Sequence, residues 1–251
     1  MTSPALQEPP RRFRRAPYWD RGRRNEGAAH IGLITHESIP DRIRRGLNVA
    51  VAAFGLMVVG PVMLVIAAFI RLTSKGPVIY SQTRVGIDRR AHRNAPENCR
   101  RQSNAGGRPF TIYKFRTMRT SNGDGDAQVW ASPEDPRVTP VGRVLRKYRL
   151  DELPQLINVL RGDMNVVGPR PEQPAIFAQL RNSVDRYHRR QQVLPGITGL
   201  AQVSHRYDTS IDDVRIKVDY DLEYISRKSP VQDLRILAKT IPTVVLKRGA
   251  W

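Results

Sequence analysis

Two carboxylates, Asp151 and Glu152, stand side by side in "LDELPQLINVL", just before Pro154 and an apolar run. Adjacent carboxylates repel, so the pairing needs a reason. One reading is structural. Asp151 caps a helix, Pro154 is tolerated in its first turn, and Leu153, Leu156, Ile157 and Leu160 form its apolar face. The other reading is chemical. A helix N-terminus attracts phosphate, and an ionised carboxylate placed there can attack phosphorus. Its neighbour, about 100° further round the helix, can hold Mg²⁺ shared with a diphosphate. Arg146, one turn earlier, and Arg170, held between prolines in "GPRP", can neutralise charge. Phosphoryl transfer asks for little beyond positioning, a metal and cations. Spacing alone leaves both readings open.

The elements around the pair are legible in outline. "GPVIYSQTRVG", Gly76 to Gly86, and "FTIYKFRTM", Phe110 to Met118, read as two strands of a small antiparallel sheet. A long basic loop, spanning Ile87 to Arg108 and containing Cys99, connects them. Val141 to Arg149 is helical and basic. A later amphipathic stretch carries Ile176, Phe177, Leu180 and Val184 on one side. Ser229-Pro230 starts a further helix, with Leu234, Leu237, Ile241 and Val245 at helical spacing. These apolar stripes are expected in the core, with one or two of them in the membrane interface as the alternative. The acids Asp124, Asp126 and Asp135 lack calcium-loop spacing, there is no Walker lysine loop, and the five histidines are scattered.

The strongest compositional feature is "GLNVAVAAFGLMVVGPVMLVIAAFI", Gly46 to Ile70, uncharged and with Asn48 as its clearly polar side chain. About 25 residues reach roughly 37 Å as a helix, enough for a bilayer core of about 30 Å. Pro61, after Gly60, removes a backbone bond and bends a helix. Basic residues flank both ends: Arg42, Arg44 and Arg45 before, Arg71 and Lys75 after. Positive flanks stay cytoplasmic, so both ends belong on one side. The expectation is a re-entrant helix–break–helix hairpin, with a simple transmembrane helix and a buried soluble helix as alternatives.

The chain has 251 residues, with 42 Lys+Arg against 23 Asp+Glu and a net charge of +19. This balance selects polyanionic partners: anionic lipid, a phosphorylated substrate or nucleic acid. A single cysteine excludes an intrachain disulfide. The first 40 residues, arginine- and proline-rich with no apolar run, read as a disordered basic tail rather than a signal peptide. The expected organisation is therefore an α+β chain with tail 1–40, membrane element 41–75 and a cytoplasmic domain of amphipathic helices and small sheet over 76–251.

Several long stretches occur together and in order: "TSKGPVIYSQTRVG", "YKFRTM", "GRVLRKYRLDELPQLINVLRGDMNVVGPRPE", "PGITGLAQV" and "DLEYI". Over roughly residues 40 to 250 the chain resembles the bacterial sugar transferases, the small monotopic polyprenyl-phosphate phosphoglycosyl transferases. The resemblance implies transfer of sugar-1-phosphate from a nucleoside-diphosphate sugar, a UDP-sugar by family expectation, to undecaprenyl phosphate. It implies Asp151 as nucleophile of a ping-pong mechanism, Glu152 as Mg²⁺ ligand, and Arg146, Arg170 and Arg206 as binders of phosphate or nucleotide sugar. Gly60-Pro61 stands where the family commonly has Ser-Pro at its membrane break. The implied place is the cytoplasmic face of the bacterial inner membrane, beside anionic lipids, in exopolysaccharide, capsule or glycoconjugate assembly. Downstream glycosyltransferases and a homo-oligomer are compatible with it; nucleic acid is not expected. Larger members carry a multi-spanning N-terminal region, for which no counterpart is read here. The rival class is a basic membrane-anchored or nucleic-acid-binding protein without catalysis.

Overall fold

The computed structural model describes residues 39–88, 106–119, 135–205 and 210–245. The basic tail, most of the basic loop with Cys99, and Arg206 lie outside the described residues. The architecture is α+β, as expected. A long helix, α1 (Ile39–Thr73), is followed by an antiparallel pair, β1 (Ile79–Val85) and β2 (Pro109–Phe115). Then come α2 (Pro140–Lys147), a 3-10 turn over Leu150–Glu152, α3 (Gln155–Arg161) and β3 (Asn165–Val167). Next are α4 (Pro174–Ser183), a 3-10 stretch over Tyr187–Gln192, β4 (Gly196–Thr198) and α5 (Leu200–Ser204). Two longer helices, α6 (Ile211–Arg227) and α7 (Pro230–Val245), close the described chain.

β1 and β2 pair with Ile79 opposite Phe115 and Val85 opposite Pro109. The second sheet, a parallel pair of β3 with β4, was not expected from the sequence. Its strands meet closely because a side chain on Gly196 would collide with the backbone of Gly168. α3 completes the free edge of β2. Asn158 accepts from the Tyr113 amide at 3.1 Å and donates to the Thr111 carbonyl at 2.7 Å, doing what a neighbouring strand would do. This corrects the expected orientation of α3. Gln155, Asn158 and Val159 face inward, whereas Ile157 and Leu160 are exposed.

Two further expectations are corrected. α1 runs as one helix of 35 residues through Gly60 and Pro61, not as two helices with a break. A proline costs one backbone bond and favours a bend, but residues on both sides can remain helical. In α7 the buried positions are Asp233 and Ile236, with Leu237 half-buried, while Leu234 and Ile241 are exposed. Asp233 faces inward because it has partners there.

α1 meets the rest of the molecule along one face, from Arg44 through Ala52, Gly55 and Met63 to Ile70. Arg44 pairs with Asp233 at 2.6 Å and also donates to the Tyr224 hydroxyl. Tyr224 in turn donates to Asp233 at 2.8 Å. Arg45 donates to the Met164 carbonyl at 2.9 Å and to the Val159 carbonyl, and Asn48 accepts from the Val166 amide at 2.6 Å. Ala52 packs with Phe110, Ile112, Val159 and Met164. Near the other end, Ile66 and Ile70 pack with Phe115 and Leu145. The opposite face is apolar and uncovered, with Phe54, Met57, Leu64 and Val65 all more than half exposed.

Candidate active site

Asp151 and Glu152 sit in the 3-10 turn, not at a helix N-cap. Pro154 has no N–H to return to the carbonyl of Leu150. The stretch therefore closes i→i+3 bonds, from Glu152 to Arg149, Leu153 to Leu150 and Ile157 to Pro154, and α3 begins only at Gln155. Arg149, entering the turn, is left-handed at φ 54°. That conformation turns the chain sharply after α2 and presents both carboxylates toward β2 and the "GPRP" loop.

Glu152 is buried and gathers cations. Its Oε1 lies 3.0 Å from Lys114 Nζ, 2.8 Å from Arg170 Nη2 and 3.8 Å from Arg149 Nη1. Burial alone would raise its carboxyl, but the charges of Arg170, Lys114 and Arg149 hold it well below the usual range. Glu152 reciprocally raises the Arg170 guanidinium. Asp151 differs. Burial, with the neighbouring Glu152 charge, pushes its carboxyl up against the opposing pull of Lys114, Arg170 and Arg146. Among the described residues none donates a hydrogen bond to the Asp151 carboxylate. The two adjacent acids are thus driven apart in character, one neutralised by contact and one without a hydrogen-bond donor among the described residues.

The cations are held by their own supports. Arg146 donates from Nε to Thr117 Oγ1 at 2.9 Å, and α2 lies directly on the Thr117 backbone because Gly142 carries no side chain there. Lys114 comes from β2, whose edge Asn158 secures. The loop carrying Arg170 is tied at four successive carbonyls. Gly196 N donates to Pro169 O at 2.9 Å, and Arg190 Nη2 to Arg170 O at 3.0 Å. Arg84 Nη1 donates to Pro171 O at 3.2 Å, and Val85 N to Glu172 O at 2.9 Å. Two prolines remove donors from this loop, so its shape is set by what its carbonyls accept. Arg190 is itself buried against Asp221 at 2.6 Å and the Tyr187 hydroxyl at 2.7 Å.

Asp151, Glu152, Arg146 and Arg170 are therefore brought together as the sequence reading required. Lys114, Arg190 and Asp221 are site or supporting residues that it missed. Both "YKFRTM" and "DLEYI" stood out as stretches, but nothing local distinguishes Lys114 from any strand lysine. Among the described residues no cluster of three or more His, Cys, Asp or Glu side chains gathers. Mg²⁺ needs only one or two carboxylates when a substrate supplies phosphate oxygens. Glu152 Oε1 is filled by cations, while Oε2 has one long contact, 3.5 Å from Arg170 Nη1. Oε2 of Glu152 is the oxygen that would be open to such an ion.

A family model described as bacterial sugar transferase matches residues 39–247. The chain belongs to the bacterial sugar transferase family. Among curated relatives of this sugar transferase, it is 42% identical over 220 residues to a UDP-N-acetylgalactosamine-undecaprenyl-phosphate N-acetylgalactosaminephosphotransferase of Aeromonas hydrophila. That match covers 88% of the chain and 48% of the relative. It is 38% identical over 213 residues to a UDP-glucose:undecaprenyl-phosphate glucose-1-phosphate transferase of Caulobacter vibrioides, covering 84% of the chain and 73% of the relative. It is 34% identical over 223 residues to the exopolysaccharide production protein ExoY of Sinorhizobium fredii, covering 83% and 88%. The chain thus spans about half of the Aeromonas relative and most of the other two.

Proposed function

We propose that this bacterial sugar transferase moves sugar-1-phosphate from a UDP-sugar to undecaprenyl phosphate, an early membrane step of exopolysaccharide, capsule or glycoconjugate assembly. The observation that carries the reading is the half-buried Asp151 carboxylate, without a hydrogen-bond donor among the described residues, beside a neutralised Glu152 and the Lys114, Arg146 and Arg170 cations. An Asp151 oxygen attacks the phosphorus bearing the sugar. The bond from that phosphorus to the bridging oxygen breaks, and UMP leaves with the electron pair. The resulting aspartyl phosphosugar is attacked at the same phosphorus by an oxygen of undecaprenyl phosphate, returning the carboxylate. Arg170, Lys114, Arg146 and, from the segment outside the described residues, Arg206 counter the phosphate charges. Bound Mg²⁺, held by Glu152, would offset charge on the diphosphate.

The same reading makes the chain monotopic at the cytoplasmic face of the inner membrane. Supporting it, the described domain touches α1 at Arg44, Asn48 and Ala52 and again at Ile66 and Ile70. One domain on one side of a bilayer reaches both ends of a helix only when both ends are on that side. The uncovered apolar face of α1 would then lie in the lipid of the inner leaflet, while its opposite face stays on the domain. The test is UMP release from a panel of UDP-sugars with undecaprenyl phosphate, in membranes carrying the chain. Asp151→Ala should abolish release, and a phosphosugar should be trapped on Asp151. Normal turnover in that variant would end the nucleophile assignment.

A further inference from the structure

A cavity of about 280 Å³ opens beside Glu152, the neighbour of Asp151, lined from the Tyr148–Leu153 segment, α3, β4, α5 and α7. Glu152 and Arg149 form its polar end, and Leu150, Leu153, Leu156, Ile197 and Val203 supply its walls. The threonines that line it present little unmet polarity. Thr240 Oγ1 donates to Ile236 O and pairs with Thr198 Oγ1, both at 2.8 Å, and Thr243 Oγ1 donates to Lys239 O at 2.8 Å. Their hydroxyls are engaged within the protein. A nucleotide, with its charges and ribose hydroxyls, would leave those walls unmatched; a hydrocarbon would not.

The cavity also adjoins the membrane helix. Leu156 packs in the cluster that holds Ala52, and Leu153 in the cluster that holds Ile66 and Ile70. Leu156 further lies against Gly55, where a Cβ would sit 3.4 Å from its Cδ1. One layer of leucine side chains therefore separates the cavity from α1. At the other end Arg149, Arg170 and Lys114 converge on Glu152. An amphipathic ligand with an anionic head and an apolar tail matches this polarity end for end.

We infer that this cavity is the acceptor subsite, taking the first isoprene units of a polyprenyl phosphate with its phosphate directed to Asp151. The inference rests on the transferase reading above. The space holds the start of such a chain and not its whole length. Gln202 Oε1 is the buried lining atom without a protein partner among the described residues, and a sugar hydroxyl would be the competing occupant for it.

The test uses the full chain in lipid nanodiscs and two measurements. Thr243→Trp narrows the cavity from its rim. It should lower kcat/KM for undecaprenyl phosphate by at least about tenfold, because several buried methylenes are displaced. The kcat/KM for the UDP-sugar should stay within about twofold, as expected when only acceptor contacts are lost. An unchanged acceptor value, or a fall confined to the UDP-sugar, would overturn the assignment and in the second case place the sugar there. In the second measurement, a diazirine-bearing polyprenyl phosphate is photolysed on the unmodified chain. Label should fall on the peptides containing Leu156 and Val203, be competed by undecaprenyl phosphate and persist without any nucleotide sugar. Label elsewhere sinks the subsite whether or not the chain turns over. Absence of UMP release with correct labelling would instead count against the proposed reaction and leave the lipid site standing.

Discussion

Arg190 donates to the backbone carbonyl of Arg170 at 3.0 Å, while the Arg170 side chain lies 2.8 Å from Glu152. A buried arginine thus sets the position of a half-buried one without contacting Glu152 itself. Arg190 is fixed by Asp221 at 2.6 Å, across 31 residues of sequence. The chain of support runs from α6 through the 3-10 stretch to the "GPRP" loop and ends at the acidic pair.

Removing Asp221 from this chain should be costly in two ways. Asp221→Asn removes the nearest counter-ion of the buried Arg190 and leaves it only Glu172 at 3.8 Å, a cost of up to about 3 kcal/mol. Thermal unfolding should shift down accordingly, and kcat should fall beyond what the unfolded fraction accounts for, because Arg170 loses its fixed backbone. Arg190→Lys keeps the charge but lacks the planar fork and should show the same loss of kcat. Wild-type kcat in either stable variant would show that the Arg170 backbone needs no such support.

Lys114 is predicted to be required for turnover. It contacts Glu152 at 3.0 Å and acts on the Asp151 charge, so in the proposed reaction it would face the phosphates. Lys114→Met should lower kcat by about a hundredfold or more, comparable to removing one charge-stabilising donor. Circular dichroism should show an unchanged fold. A kcat within about threefold of wild type would remove Lys114 from the site.

Divalent metal should be needed. EDTA should stop UMP release and added MgCl₂ restore it. Glu152→Gln should raise the Mg²⁺ concentration for half-maximal rate by at least about tenfold, since even indirect supports of metal sites carry that weight. Full activity in EDTA would remove the metal role of Glu152.

Glu172 supplies a pH-dependent part of stability. Burial alone would raise its carboxyl, yet Lys217, at 3.1 Å, with Arg190 and Arg84 brings it from 4.5 to about 2. A carboxylate lowered on folding stabilises the folded state fully above its unfolded value. That contribution is lost as pH falls from about 4.5 toward 2. A shift of this size is on the order of 3 kcal/mol. Urea unfolding of Glu172→Gln should therefore give lower stability at pH 6 and a flatter decline down to pH 3 than wild type. Parallel curves would show that the ion pair contributes nothing across that window.

How much of this was legible follows from where the information lies. β1 and β2 were readable because β-formers alternate between glycine-rich bounds. The start of α7 was readable because Ser229 and Pro230 act locally, with Ser229 Oγ accepting from Gln232 N at 3.2 Å. The acidic pair was readable because two adjacent charges conflict wherever they occur. The face of α3 was not, since Asn158 is buried only to serve the edge of β2, a partner more than 40 residues away. Arg190 was hidden for the same reason: among 42 basic residues, its burial depends on Asp221. The exposed Leu234 and Ile241 obey helical spacing, but spacing does not say which environment the stripe meets.

Asn48 is predicted to hold α1 onto the domain. It was the one clearly polar side chain in the apolar segment, and it is buried. It accepts from the Val166 amide at 2.6 Å and donates to the Arg44 carbonyl at 2.7 Å. Asn48→Leu keeps the size and removes both bonds, leaving the buried Val166 N–H unmet at about 1–3 kcal/mol. Arg44 and Arg45 flank it, so the loss should loosen the whole N-terminal third of α1 from β3 and α3. In nanodiscs the variant should become more susceptible to protease near Asp163, in the turn that Arg45 covers, and unfold at lower temperature. If cleavage and melting match wild type, the anchor is carried by Arg44 and its partners Asp233 and Tyr224 alone, and Asn48 is incidental to it.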